Sequence, residues 1–403
     1  MESGDIAWVL ASAALVLFMT PGLALFYGGM DRSKNVLNML MMNFYCALAV
    51  PVLWFAGAYS LAQGGDGKFI GNLQHLFLAD LPSVAADNGE ALVFVGFLAT
   101  FAVITPALIS GAVAGRMKFA AWAIFIPIWL VTVFAPIFKW VYGGWLAERG
   151  SIDFAGGTAI HVNAGVAALA AALVLGKRKG FPGETAPPHS LPLVAIGTGI
   201  LWFGWFGFNA GSAGAANGQA VQAWLNTLLA AAAAGLAWTL VERFRDGHFT
   251  TLGVFSGIVA GLVAITPAAG YVSGAAPVVI GALGGVASCF AVGLKKKLGY
   301  DDALDVVGVH LVSGLVGSVL IGFFANPEFF GGDWMEGLFY GGSAELLVEQ
   351  VIANLAALVY SGLVTFGILK LLDITIGIRV SEEVEDEGLD LPEHAETAYR
   401  TAN

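Results

Sequence analysis

Residues 91–115 read ALVFVGFLATFAVITPALISGAVAG, with no charged side chain among them. A helix of that length would measure about 37 Å at 1.5 Å per residue, enough to cross the ~30 Å hydrocarbon layer of a bilayer. A transmembrane barrel strand would instead be roughly ten residues of alternating polarity, whereas this run is continuously apolar. Hydrocarbon also obliges a spanning segment to satisfy its own backbone groups, so a membrane helix is expected. The rest of the chain repeats the pattern. Hydrophobic residues make up 58% of the 403 and charged residues only 12%, with 54 glycines, which is more apolar surface than a water-soluble domain hides.

Hydropathy places spans near 5–27, 35–62, 90–114, 119–138, 158–176, 191–209, 221–241, 252–266, 274–294, 304–325 and 345–372. The expected fold is thus an all-α polytopic membrane protein of eleven transmembrane helices. Residues 1–372 form the membrane domain and 373–403 a tail. The first span lacks the basic lead and small-residue cleavage site of a secretory signal, so it is expected to be retained. Of the 18 Lys and Arg, 15 fall in alternate loops and the tail, and only Lys68, Lys139 and Arg149 in the others. The positive-inside rule then puts the N-terminus outside and the C-terminus in the cytoplasm, in a cell or inner membrane. Twelve carboxylates lie on the outer side and eight in the tail from Ser381 onward. Cys46 and Cys289 both sit within spans, so neither a disulfide framework nor a CxxC motif is available.

Eleven spans divide most simply as 5 + 5 + 1, with the second five inverted, over about 5–176 and 191–325, followed by the last helix at 345–372. Ile104-Thr105-Pro106-Ala107 in the third span recurs as Ile265-Thr266-Pro267-Ala268 at the eighth, and Asp153…His161 in the fifth recurs as Asp305…His310 in the tenth. Inverted repeats commonly place a substrate path at their interface, where the two histidines would approach each other. Both are deep: His161 precedes Gly176 by fifteen residues, roughly 22 Å of helix, and His310 follows Lys297 by thirteen, roughly 20 Å. One such histidine is more often an interhelical hydrogen bonder, but a symmetry-related pair points to a pathway. Two imidazoles without a third ligand make a poor metal site. A neutral pair sharing one N–H···N bond can instead present polar edges to a small molecule and relay protons. Asp153 suits either a helix-start anion or remote stabilisation of a cation. No GxSxG, HExxH or paired catalytic aspartates support an enzyme, and no cofactor or nucleic-acid partner is expected.

The stretch DFAGGTAIHVNAGVAALAAALVLGKR, 153–178, resembles the signature of the ammonium transporter, methylammonium permease and Rhesus family. Similar in order are PGLALFYGGM (21–30), TFAVITPALISGAVAGRMKF (100–119), WFGWFGFNAGSA (202–213), TPAAGYV (266–272), DDALDVVGVHLVSGLVG (301–317) and RVSEEVEDEGLDLPEHAETAY (379–399). The resemblance implies a homotrimer with one pore per protomer. It assigns Phe101, Tyr142 and Ser212 to an outer ammonium site, Phe101 and Phe208 to a stacked gate, and His161 and His310 to a twin-histidine relay, with Asp153 as the buried aspartate. Aromatic faces and a hydroxyl can replace part of the hydration shell of ammonium or methylammonium. The resemblance also implies a PII-class signalling protein as cytoplasmic partner. The chain departs from the family at Tyr142, where a tryptophan is usual, at Gly115, where glutamate is common, and at EHAE in place of EHGE. The expected function is a transporter that binds ammonium, deprotonates it and conducts ammonia and a proton inward. The alternatives are an ammonium sensor with little transport and a Rhesus-type gas channel.

Overall fold

The computed structural model describes residues 1–183 and 187–399. Arg400, one of the basic residues of the tail, lies outside them. In chain order the principal helices are α1 (Ser3–Met30), α2 (Val36–Gln63), α3 (Glu90–Val113), α4 (Phe119–Glu148), α5 (Gly157–Leu175), α6 (Leu191–Gly211), α7 (Gly218–Asp246), α8 (Thr251–Ile265), α9 (Ala276–Leu298), α10 (Val307–Phe324) and α11 (Glu345–Ile376). All but α8 are long and apolar enough to cross a membrane, ten among the described residues. No strand occurs among those residues beyond a lone bridge, Met117 to Arg379.

The eighth expected span is α8, a helix of only 15 residues, about 22 Å long. It stops at Thr266, just before Pro267, which has no N–H to continue the ladder. The same four-residue string is read differently in α3, where Pro106 lies inside the helix. Polar caps begin several helices. Asn217 Oδ1 accepts from the Ala220 amide at 3.0 Å before α7, and Thr250 Oγ1 from the Gly253 amide at 2.9 Å before α8. Glycine permits close crossings. A Cβ on Gly197 of α6 would overlap the Phe26 amide of α1, and one on Gly281 of α9 would overlap the Ala230 carbonyl of α7. Lipid gives helices no hydrophobic reason to associate, so such backbone approach supplies the packing.

The tail returns across one end of the bundle as two short helices, α12 (Glu382–Glu387) and α13 (Asp390–His394). Its carboxylates serve as caps for membrane helices. Asp390 Oδ1 accepts from the Asn38 amide in the first turn of α2, and Glu393 Oε2 from the Phe119 amide at the start of α4, each at 2.9 Å. Helix N-termini carry unpaired amides and partial positive charge, which accounts for the docking of an acidic segment there. Lys179 pairs with Asp386 at 2.5 Å and Arg379 with Glu385 at 2.6 Å. In the last turn of α9, the ammonium of Lys295 is held by Asp305 and the carbonyl of Asp302.

Beneath the tail, the fully buried Asp301 joins the two halves of the chain. It receives Arg178 in a two-pronged contact at 2.9 and 2.7 Å, and Arg116 Nη1 stands 3.6 Å away. Burial pushes the Asp301 carboxyl up, but the Arg178 hydrogen bond and the charges of Arg116 and Arg178 outweigh it and hold it below its ordinary value. A depressed carboxylate stabilises the fold fully above its unfolded pKa of about 3.9, and that contribution is lost as pH falls through the folded value. Asp301→Ala leaves the buried Arg116 without a counter-charge. Thermal unfolding in detergent at pH 7 should show a loss of roughly 3–5 kcal/mol, whereas an unchanged midpoint would show that the pair is idle.

Candidate functional site

The site begins at a turn that a carboxylate organises. Asp153 accepts four backbone amides: Gly156 and Gly157 on Oδ1 at 2.9 and 2.7 Å, and Thr158 and Ala159 on Oδ2 at 2.9 and 3.1 Å. These are the orphan donors that any helix start exposes. Gly156 takes φ +104, a conformation that glycine adopts without strain, and so turns the chain back over the carboxylate. The first turns of α5, Gly157–Val162, are π-helical, with the His161 amide reaching back to the Gly156 carbonyl at 3.1 Å. A wider turn re-aims the side chains after it, and such bulges are frequent at functional sites. The start of α10, Val307–Val312, is π-helical as well and carries His310.

The aspartate corresponding to Asp153 is Asp302, not Asp305 as the sequence contexts suggested. Asp302 precedes His310 by the same eight residues that separate Asp153 from His161, and its Oδ2 accepts the Val307 amide at 2.7 Å. Asp305 instead adopts φ +67 and holds Lys295.

The two π-turns bring the histidines together. His161 and His310 are both buried, their rings 5.4 Å apart and inclined by 19°, with the Nδ1 atoms at 3.3 Å. The remaining nitrogen of His161, Nε2, is buried without a partner, while His310 Nε2 faces the Tyr27 hydroxyl at 3.5 Å. On the His161 side rise Phe208 at 5.9 Å and, packed on it at 4.3 Å with the rings inclined by 30°, Phe101. A cavity of about 10 Å³ lies among His161, His310, Trp205, Phe208 and Leu108, close to the smallest space that holds one water. The half-buried Ser212 stands one turn beyond Phe208 and donates its hydroxyl to the Phe208 carbonyl at 2.8 Å. Tyr142 sits at a kink in α4 before Gly143, its ring on Phe138 at 4.6 Å, and no ring contact joins it to Phe101 among the described residues. At the tail end a cavity of about 790 Å³ opens, lined by Arg178, Lys179, Trp238, Lys295, Asp305 and Glu385 among others.

The sequence model of the Ammonium Transporter Family matches residues 7–399. The chain belongs to that family. An ammonium transporter of Mycobacterium tuberculosis is 50% identical over 431 aligned positions, covering 99% of this chain and 90% of the relative. One of Aquifex aeolicus is 49% identical, covering 99% and 94%. Among solved structures, Candida albicans Mep2 superposes with a TM-score of 0.89 at 36% identity, covering 95% of this chain and 87% of that one. A sensor Amt protein superposes at 0.90 with 28% identity, covering 97% and 98%. The family is one of membrane transporters, and this member is a multi-pass helical protein.

Two residues that the sequence did not single out pack against the histidine pair. Trp205 stacks on His161 at 5.3 Å and 15°, and its indole N–H donates to Thr266 Oγ1 at 2.8 Å. Tyr27 donates to the Leu108 carbonyl at 3.2 Å while facing His310. Both lie in family-like motifs, Trp205 three residues before Phe208 and Tyr27 before a Gly-Gly pair. Their spacing alone does not separate them from core aromatics. Asp153→Asn keeps the shape but faces four amides with one carbonyl, so the turn should lose about 1–3 kcal/mol. Faster hydrogen exchange at 156–159 is the expected readout, and protection equal to the parent would deny Asp153 this organising role.

Proposed function

We propose that this protein is an ammonium transporter whose pore runs past Phe101 and Phe208 to the His161–His310 pair. The carrying observation is the unpartnered, buried Nε2 of His161 beneath the two rings. The hydrogen-bond chain assigns the protons. The Tyr27 hydroxyl is committed to the Leu108 carbonyl, so its oxygen accepts from His310 Nε2–H. His310 Nδ1 is then an acceptor and His161 Nδ1 the donor across 3.3 Å. That leaves a bare lone pair on His161 Nε2, a base aimed at whatever passes Phe208.

On this reading ammonium gathers at Phe101, Tyr142 and Ser212. The Ser212 oxygen has lone pairs left for an ammonium N–H, and the rings offer cation–π faces. A bare cation is costly in so narrow and apolar a passage. Potassium has no way to lower that cost, but ammonium can leave a proton behind. A proton accepted at His161 Nε2 is matched by movement of the shared Nδ1 proton to His310 and by release from His310 Nε2 towards the large cavity. Both rings stay neutral, ammonia follows, and return of the two tautomers completes the cycle.

The same proposal takes α8 as a crossing helix, making eleven in a 5 + 5 + 1 inverted arrangement, with the N-terminus outside and the acidic tail cytoplasmic. It takes residues 1–372 as the transport unit in a homotrimer and the tail, 373–403, as the regulatory contact for a PII-class protein. The basic residues at the tail end of the bundle and the docked tail support that orientation. A sensor function draws on the same docked tail but predicts little flux, and a gas channel predicts flux without current.

Proteoliposomes should show inward current after an ammonium pulse, a weaker one with methylammonium and none with potassium. His161→Ala and His310→Ala should each abolish selective transport in a folded protein. Equal potassium current in the parent, or parental selectivity and rate in either variant, would overturn the reading.

A further inference from the structure

Behind the histidine pair lies a second polar cluster for which the proposed pore has no use. Thr158, Ser318, Gln350 and Asn354 are all buried. Thr158 sits in the π-turn that carries His161, Ser318 is eight residues after His310 on α10, and Gln350 and Asn354 stand one turn apart on α11. The distances close a ring. Thr158 Oγ1 donates to Asn354 Oδ1 at 3.1 Å, and Asn354 Nδ2 donates to Ser318 Oγ at 2.9 Å. The Ser318 hydroxyl then has one acceptor left, Thr158 Oγ1 at 3.2 Å. Gln350 adds a clamp on the chain before the turn. Its Oε1 accepts the Ile152 amide at 2.8 Å, and its Nε2 donates to the Ile152 carbonyl at 2.9 Å and to Ser318.

None of these side-chain polar atoms lacks a partner, in contrast to His161 Nε2 and Asn163 Oδ1 nearby. The proton order around the ring is fixed, because each hydroxyl and amide hydrogen has one acceptor left to it. A fully satisfied polar network in a low-dielectric interior admits one arrangement and resists sliding. This ring bridges the His161-bearing and His310-bearing helices, and it anchors both to the last helix. A second tether, Ser361 Oγ to the Asn163 carbonyl at 3.0 Å, holds α5 just after this π-turn from further along α11.

We infer that Thr158, Ser318, Gln350 and Asn354 are positioning residues through which the last membrane helix sets the separation of the two imidazoles. The inference rests on the proposed histidine role for its bearing on transport, but not for the geometry it asserts.

The test uses full-length protein labelled with ¹⁵N-histidine in lipid nanodiscs. Thr158→Val removes the hydroxyl at nearly constant volume, and Ser318→Ala is the second variant. Thr158→Ser restores the hydroxyl. Thr365→Val breaks a comparable buried bond on the same helix, Trp129 Nε1 to Thr365 Oγ1 at 2.9 Å, and serves as the control for a merely structural loss. In Thr158→Val and Ser318→Ala the imidazole ¹⁵N signals should move from those of a shared N–H···N bond towards those of separate rings, with ammonium flux lowered roughly five- to fiftyfold. Thr158→Ser and Thr365→Val should keep parental signals. Parental imidazole signals in both Thr158→Val and Ser318→Ala, or equal shifts in Thr365→Val, would overturn the inference. A parent without ammonium flux would sink the proposed function alone, since the ¹⁵N signals would still judge the positioning.

Discussion

One N–H···N contact, 3.3 Å between His161 and His310, sets terms for everything around it. Two imidazoles sealed from water present four ring nitrogens to an environment that tolerates few unpaired polar groups. Sharing a proton satisfies two of them, and Tyr27 takes a third. The fourth, on His161, is left without a partner. The surroundings are arranged to hold this pair in place. Asp153 gathers four amides to start one histidine helix, Asp302 takes an amide at the start of the other, and each helix opens with a π-turn. Phe101 packed on Phe208 and a cavity of only about 10 Å³ leave little open space beside the pair. On the proposed reading, selectivity comes from this scarcity of polar groups: a cation that cannot become neutral finds too little to replace its water.

Charge is concentrated where the membrane ends. Arg116, Arg178 and Asp301 form a buried cluster joining the two halves of the chain, and the acidic tail lies over it, capping α2 and α4 with Asp390 and Glu393. The tail thus completes helix starts that would otherwise expose amides. Any partner that lifts it must replace those caps, and this gives a regulatory role for the tail a physical route into the bundle. Gly115 bears on the same joint. It adopts φ +72, and a Cβ there would press on the Asn35 amide, which itself pairs with Asp31. The tail is held beside it, with Asn35 Oδ1 accepting the Leu389 amide at 3.0 Å and Asp390 the Asn38 amide.

Much of the fold was legible because hydrocarbon leaves few choices. Each apolar run of about twenty residues became a helix, and ten of the eleven expected spans are long enough to cross. The exception, α8, was cut short by Pro267, whereas Pro106 in the same string was absorbed within α3. Hydropathy cannot distinguish these, because both prolines sit in the same apolar string and differ only in the path the chain takes after them. The meeting of His161 and His310 was legible from depth and context. The partner aspartate was legible only through spacing, since DDALD offers three carboxylates and Asp302 alone stands eight residues before His310, where the backbone shows it taking the Val307 amide. Trp205 and Tyr27 were hidden among many aromatics, and the polar ring on α11 among ordinary Ser, Thr, Asn and Gln. Their significance arises from contacts between residues nearly two hundred positions apart, such as Thr158 with Asn354.

The central claim is that ammonium gives up a proton to pass the histidine pair. The most direct test compares initial ammonium-driven current in proteoliposomes in ordinary water with that in heavy water, corrected for solvent viscosity and accompanied by nitrogen uptake from the same vesicles. If a proton must leave the nitrogen and cross between two imidazoles, current and uptake should fall together in heavy water, with one charge entering per nitrogen. Corrected current that is the same in both solvents, or nitrogen uptake without charge, would contradict the account.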